Sequence, residues 1–418
     1  MFRLLQAVLL AGLFLVAGTE GVVGSDAALA TKPRVRAITA FVRLEANQYQ
    51  AQVQEAVKLL RSAQQAYGQQ GFEVQTIRIT TQPFPEIIRG LPPEQAMRFF
   101  DELQKIAKGE SFLLNIGAAV LNENDAGDSV AEFLAKVLAG HDQFSSSIVV
   151  ADENGVHWKS ARAAAKVFKL VSERTPNGQG TFGFAATAML KPYGPFFPGS
   201  YHDGPGHQFA IGLESANVAQ AAFSAHSGDI EGAEKDLATQ LGRYAVECEK
   251  IARSVEQQSG WTYAGLDPTP APGGDISMGD AIEKLTGKKF GSSGTLAVAA
   301  MITRVVKSIP VKQVGYAGLM LPVLEDSLLA QRWSENTFGI DSLLAYSAVC
   351  GTGLDTVPLP GEVSEEQLMR IIGDVASLAY KWKKPLSARL QPVPGKSAGQ
   401  RTAFDNPHLA NAVLQKLP

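Results

Sequence analysis

Beyond residue 33, short apolar runs rich in β-branched residues alternate with longer stretches whose apolar residues recur at helical spacing. In the first half of the chain this pattern predicts strands over residues 35–42, 72–80, 111–120 and 145–151. Helices are predicted between them, over residues 50–69, 92–108 and 128–138. Strands that alternate with helices favour a parallel sheet covered by helices, so the fold class is α/β.

The second half of the chain is less regular. Loops dense in Gly and Pro at 175–183 and 191–206 border an apolar segment at 182–190, and a long helix is predicted over 229–258. Strand-like and helical segments follow over 261–266, 277–286, 295–308, 343–349, 365–382 and 387–392. Because no repeat or linker divides the chain, we predict one large domain over residues 31–418, with two domains as the alternative.

Residues 1–30 have the pattern of an export signal. Arg3 precedes an apolar run over residues 4–17, and Ala28 and Ala30 are small residues suited to a cleavage site. The run is shorter than the roughly 20 residues that a membrane span needs. We predict a signal peptide over residues 1–30 and a mature protein that is exported, with no lasting membrane span. An uncleaved anchor and a start codon placed too early are the alternatives.

Composition narrows the class of protein. The chain has 418 residues, of which 45% are hydrophobic and 19% charged, which is enough apolar material for a large core. The 38 basic and 41 acidic residues give a formal charge of −3, so a nucleic-acid partner is not expected. Two cysteines exclude a disulfide-stapled scaffold and an all-cysteine metal site. A small-molecule ligand is the expected partner, self-association is left open, and no cofactor is assigned.

Five loops are richer in Gly, Pro and functional groups than a simple connection requires. They span residues 194–214, 265–280, 314–326, 347–361 and 392–406. Ligands of α/β sheets bind where loops leave the carboxyl ends of strands. We therefore expect these five loops to converge on one cavity.

Cys350 is the most specific catalytic candidate. It ends an apolar run directly before Gly-Thr-Gly, which predicts a sulfur at a strand end beside a flexible loop. A thiolate there would be a nucleophile or a redox group. The alternatives are a small buried side chain or a disulfide with Cys248. We expect two free thiols, with Cys350 shielded and reached through the pocket.

The remaining candidates are polar residues of the strands and loops. Asp267 and Asp355 would orient a substrate beside Cys350 and complete the catalytic set. The predicted ligand-binding residues are Arg78, Ser277, Glu325, Asp326, Arg389 and Lys396. The acidic residues could instead be turn or helix-cap groups. His202 and His207 flank a Gly-Pro-Gly turn and are candidate metal ligands, with plain loop polarity as the alternative.

Several stretches resemble a known family. They are RAITAF (36–41), VQTIRI (74–79), FAIGLES (209–215), GLDPTPAP (265–272), GYAGLMLPVLED (315–326), YSAVCGTGLDTVPLPG (346–361) and ARLQPVPGKSAGQRTAFDNP (388–407). Together they are similar to the bacterial and archaeal proteins grouped as domain of unknown function 711. The resemblance implies a barrel like that of pyruvate formate-lyase, with about ten strands surrounded by helices. By analogy, Cys350 would occupy the cysteine-bearing loop of that barrel.

Radical chemistry does not follow from this resemblance. No RVxGY-type segment follows Cys350 near the C-terminus, and export would separate the protein from a cytosolic activating enzyme. Three functions remain open. The first is an enzyme acting on a small polar or anionic molecule around Cys350. The second is a non-catalytic protein that binds a solute or a cation, and the third is a structural or assembly component.

Overall fold

The computed structural model describes residues 31–273 and 276–417. The predicted signal peptide lies outside the described residues. The strands are β1 (Arg34–Val42), β2 (Ile77–Thr81), β3 (Leu113–Val120), β4 (Phe144–Asp152), β5 (Gly155–Val156), β6 (Phe184–Ala188), β7 (Gln208–Glu214), β8 (Thr262–Asp267), β9 (Gly353–Pro360) and β10 (Leu386–Val393).

The helices predicted over residues 50–69, 92–108, 128–138 and 229–258 are confirmed, whereas those over 84–87, 158–174, 216–225 and 327–334 were not predicted. The helices are α1 (Tyr49–Gln69), α2 (Phe84–Ile87), α3 (Pro93–Glu110), α4 (Asp128–Gly140), α5 (Trp158–Arg174), α6 (Ala216–Ala225), α7 (Ile230–Ser259), α8 (Met278–Thr286), α9 (Thr295–Ser308), α10 (Ser327–Ser334), α11 (Ile340–Val349) and α12 (Glu365–Trp382). Two short 3₁₀ helices, at Glu123–Asp125 and Pro176–Gly183, complete the regular structure of the described residues.

The strands form one sheet in the order β8-β7-β1-β2-β3-β4-β6-β10-β9, with β5 paired to β4. Strands β1, β2, β3, β4 and β6 are mutually parallel, and β7 and β10 pair antiparallel at the two sides of this group. The mixed α/β fold with ten strands surrounded by helices is confirmed. Within the described residues the sheet is not closed, and its layout is compatible with the barrel that the family resemblance implies.

The two faces of the sheet pack against different material. On β1, the buried residues Ile38 and Ala40 join the main core between sheet and helices. Phe41 belongs to a separate cluster on the other face, where the Thr39 hydroxyl donates to the carbonyl of Pro195 at 2.9 Å. Residues of segments 193–203 and 314–322 pack on this second face, which we call the inner face of the sheet.

Candidate functional site

A cavity of about 650 Å³ lies against the inner face of the sheet. Each of the five predicted loops contributes to its lining, so their convergence is confirmed. The expected location is only partly right. The lining includes Arg78, Leu113 and Phe144, which lie at the amino ends of β2, β3 and β4. Since β8 belongs to the oppositely directed group, its carboxyl end reaches the same side and contributes Ala271 and Pro272.

Three charged side chains meet at one point of the cavity wall. The Nη1 of Arg389 donates to Glu325 Oε1 at 2.6 Å and to Asp355 Oδ1 at 2.7 Å. The same guanidinium lies 4.9 Å from the centre of the Phe182 ring. Burial raises the pKa of Asp355, although Arg389 acts in the opposite direction. Two carboxylates held by one nitrogen form a compact acidic group facing the cavity.

Arg36 forms a second ion-paired group beside the first. Its Nη1 donates to Glu214 Oε2 at 3.2 Å and to Gln75 Oε1 at 3.0 Å. Its Nη2 lies 3.7 Å from Glu325 Oε2, an ion-pair distance that is too long for a hydrogen bond. Both Arg36 and Glu325 line the cavity, so the two groups form one continuous charged wall.

Arg78 differs from the other two arginines because, within the part of the chain that the structure describes, no carboxylate lies within 4.0 Å of it. It is only 5% exposed, its Nε donates to Thr76 Oγ1 at 2.9 Å, and its guanidinium lies 5.0 Å from the Phe197 ring centre. Burial, reinforced by Arg36, lowers its pKa to about 9. The guanidinium therefore stays charged at neutral pH, and its charge is available to a ligand.

A β-bulge explains why Arg36 shares this wall. The pairing of β1 with β7 shifts between Val35 and Ala37. Val35 and Ile38 both belong to the core on the helix side, three positions apart instead of two. Simple alternation would place Arg36 with Ile38, whereas the extra residue turns Arg36 to the face of the cavity.

Asp267 positions the cavity wall without being part of the lining. Its fully buried carboxylate accepts hydrogen bonds from the backbone of Thr269, Tyr316 and Ala317. Burial raises its pKa to about 6, against the effect of these bonds. A Cβ at Gly315, where φ is +75°, would lie 2.3 Å from Asp267 Oδ2. Asp267 thus fixes the turn that presents Tyr316 to the cavity.

Asp326 and Ser277 act as helix caps. Asp326 accepts hydrogen bonds from Leu328 and Leu329 at the start of α10, and from Met278 and Gly279 at the start of α8. The Ser277 hydroxyl donates to Asp326 and accepts from the Asp280 backbone. Neither Asp326 nor Ser277 lines the cavity. Their geometry matches the alternative that acidic loop residues stabilise helix ends.

Cys350 does not lie at a strand end, because residues 340–349 form helix α11 and the sulfur follows its last turn. The side chain is 2% exposed, and burial raises the pKa of its thiol. Cys350 is not among the lining residues; its neighbour Thr352 is. The Lys384 ammonium donates to the Cys350 and Ser347 carbonyls and so binds the end of α11. Both Cys350 and Cys248 are free and buried.

The candidate metal ligands His202 and His207, and also Lys396, are not among the residues that line the cavity. His202 is fully buried, with Nε2 3.1 Å from the Val42 carbonyl, and His207 is exposed and stacks on Trp261. Among the described residues, no group of three or more His, Cys, Asp or Glu side chains could hold a metal ion. In the described part of the chain, His202 and His207 therefore do not belong to such a group, and a metal site there stays a prediction.

The structure thus combines a mixed α/β, barrel-like fold with a pocket whose wall carries arginine and carboxylate groups. The model of the family described as "Uncharacterised ACR (DUF711)" matches residues 29–406, and the chain belongs to this family. Among the described residues, no helix is long and apolar enough to cross a membrane.

Curated relatives are known as UPF0210 proteins. One from Pyrobaculum aerophilum is 30% identical over 284 residues, covering 65% of this chain and 62% of that protein. A second, from Pyrobaculum arsenaticum, is 28% identical and covers 82% of this chain and 79% of its own length. A third, from Carboxydothermus hydrogenoformans, is 26% identical over 83% of this chain and 80% of its own. These names carry no specific function.

Proposed function

We propose that the cavity binds a small molecule through an anionic group held by Arg78. The observation that carries this proposal is a buried guanidinium that lines the cavity with no carboxylate partner in the described part of the chain. A buried charge is costly unless it is paired. A carboxylate or phosphate of a ligand would supply the missing partner through two parallel hydrogen bonds, the geometry that a guanidinium favours.

Ligand binding fits the residues of this cavity better than thiol catalysis does. A nucleophilic cysteine needs an accessible thiolate, and burial raises the pKa of Cys350. We therefore assign no chemistry to Cys350, and Asp267 is a positioning residue. A solute-binding pocket requires only the groups that line it, which include Arg78, Arg389 and Glu325.

The test compares Arg78→Gln with Arg370→Gln, a matched control on the exposed face of α12 that loses the same charge. Calorimetry against a panel of small carboxylates and phosphates should find a ligand of the unmodified protein. Loss of a charged hydrogen-bond partner is worth about 1.5–3 kcal/mol, so Arg78→Gln should weaken binding by about one to two orders of magnitude. Equal affinities for the two variants would reject the proposal.

Acid–base catalysis on the bound ligand is a second candidate function. It is favoured by Asp355, a carboxylate that lines the cavity and whose pKa is raised by burial. Asp355→Asn should then abolish turnover of a bound ligand, a loss much larger than the change in its affinity. Retained turnover would restrict the site to binding.

We also propose that the protein is exported, on the basis of the charged start, apolar run and small-residue site within residues 1–30. Intact-mass analysis of protein from its native cell should find a chain that begins at Thr31. Recovery of the full-length chain in the cytosol would contradict export.

A further inference from the structure

Charged side chains of both signs line the cavity. Arg36, Arg78 and Arg389 line it together with the carboxylates of Glu325 and Asp355, and Glu214, which pairs with Arg36, is not among the lining residues. The side chains of Glu214, Asp355 and Arg389 are each less than a tenth exposed. A ligand with one charge of each sign can therefore contact a partner of opposite charge at both of its charged groups.

Hydrogen-bonding capacity is unused at both signs of charge. Glu325 and Asp355 each give one oxygen to Arg389. Among the described residues, the second oxygen of each carboxylate accepts no hydrogen bond, and the terminal nitrogens of Arg78 donate none. Arg389 Nε is buried and likewise has no hydrogen-bond partner in this part of the chain. The wall can therefore accept from a cationic group and donate to an anionic one.

One part of the cavity wall is apolar. Phe196, Tyr316 and Met320 form a buried cluster that lines it, and Phe197 covers the guanidinium of Arg78. The volume of about 650 Å³ lies within the usual range for a small-molecule pocket. It exceeds what the two charged ends of a small ligand would fill, so the apolar walls provide room for a side chain.

We propose that the ligand is a zwitterion of the α-amino-acid type with a large apolar side chain, its carboxylate on Arg78 and its ammonium on Glu325 and Asp355. The proposal rests on the function proposed above. To the anionic group that Arg78 binds, it adds two further groups of the same ligand. One is a cationic group, and the other is an apolar group that contacts the cluster around Phe196 and Met320.

Calorimetry on the mature chain with three related probes tests the assignment. The probes are L-phenylalanine, phenylpropionate, which lacks the ammonium, and phenethylamine, which lacks the carboxylate. Phenylalanine should bind, and each truncated probe should bind about tenfold or more weakly, because it leaves one set of charged partners unfilled. If phenylpropionate binds as tightly as phenylalanine and Arg78→Gln still abolishes that binding, the zwitterion proposal is overturned and the anion-binding proposal stands. Failure of all three probes and of the anion panel would overturn both proposals.

Variants separate the ammonium contact from a general distortion of the pocket. Glu325→Gln and Asp355→Asn should each weaken phenylalanine by about tenfold while phenylpropionate binds unchanged or more tightly, since a negative charge is removed. Glu366→Gln, an exposed acid on α12, is the control and should change neither affinity. An equal loss of both ligands would overturn the ammonium assignment. If Glu325→Gln does not fold, Asp355→Asn gives the same comparison.

Discussion

Replacing Arg78 with methionine should make the ligand-free protein more stable. Arg78→Met keeps an unbranched stem and removes a buried charge that has no carboxylate partner in the described residues. Burial lowers the pKa of Arg78 from its ordinary 12.5 to about 9. That difference corresponds to a cost of roughly 5 kcal/mol for the charged form, which is present below about pH 9. Contact with Phe197 and access of solvent from the cavity offset part of it, so we expect a net gain of about 1–2 kcal/mol.

Urea unfolding of the ligand-free protein at neutral pH measures this change as a shift of the midpoint at constant slope. The control is Arg332→Met, since Arg332 donates to both oxygens of Glu283 and its side chain is 11% exposed. Breaking that pair should destabilise the protein by about 1–3 kcal/mol, the opposite sign. A loss of 1 kcal/mol or more for Arg78→Met would show that Arg78 stabilises the fold, and would remove the reason to expect a ligand there.

Three further predictions follow from residues outside the charged wall. Asp326→Ala should cost about 2–4 kcal/mol in urea unfolding because it removes the caps of two helices, and a cost below 1 kcal/mol would contradict that role. Both thiols, Cys248 and Cys350, should alkylate slowly in native protein and quickly in denaturant, and a bridge in a non-reducing peptide map would be inconsistent with the structure. Since burial raises the pKa of Asp267 to about 6, stability should fall as pH rises from about 4 to about 6, and Asp267→Asn should reduce that fall; an unchanged pH profile would exclude Asp267 as its source.

Most elements could be predicted from the sequence because their periodicity is strong, as in α9 and α12, whose bounds match the prediction at both ends. Strand β9 was missed because two prolines and a glycine gave its sequence, GLDTVPLP, the character of a loop. The strand lies at an edge of the sheet, where proline is tolerated since one side needs no ladder hydrogen bonds. The run before Cys350 was too short to distinguish a buried helix from a strand.

The candidate site was predictable where a charged residue interrupts an apolar strand or loop. Arg78, Glu325, Asp355 and Arg389 were expected to bind ligand or substrate, and all four line the cavity. Arg36 was missed because a bulge, which depends on pairing with a distant strand, decides the face it occupies. Sequence alone likewise cannot distinguish a carboxylate that binds a ligand from one that caps a helix, as Asp326 does, because both occur in polar loops.

The charged wall joins opposite ends of the chain, and this has a consequence for the order of folding. Arg36 and Arg78 belong to the first two strands, whereas Asp355 and Arg389 belong to the last two. Contacts between segments so far apart in sequence form slowly. The early strands can therefore pair while Arg78 is still hydrated. The free-energy cost of burying its charge then arises only in the last steps of folding. A ligand that binds only the assembled wall would shift the equilibrium toward the folded state by mass action. The refolding yield, measured with and without ligand, therefore tests this link between the layout of the sheet and the pocket.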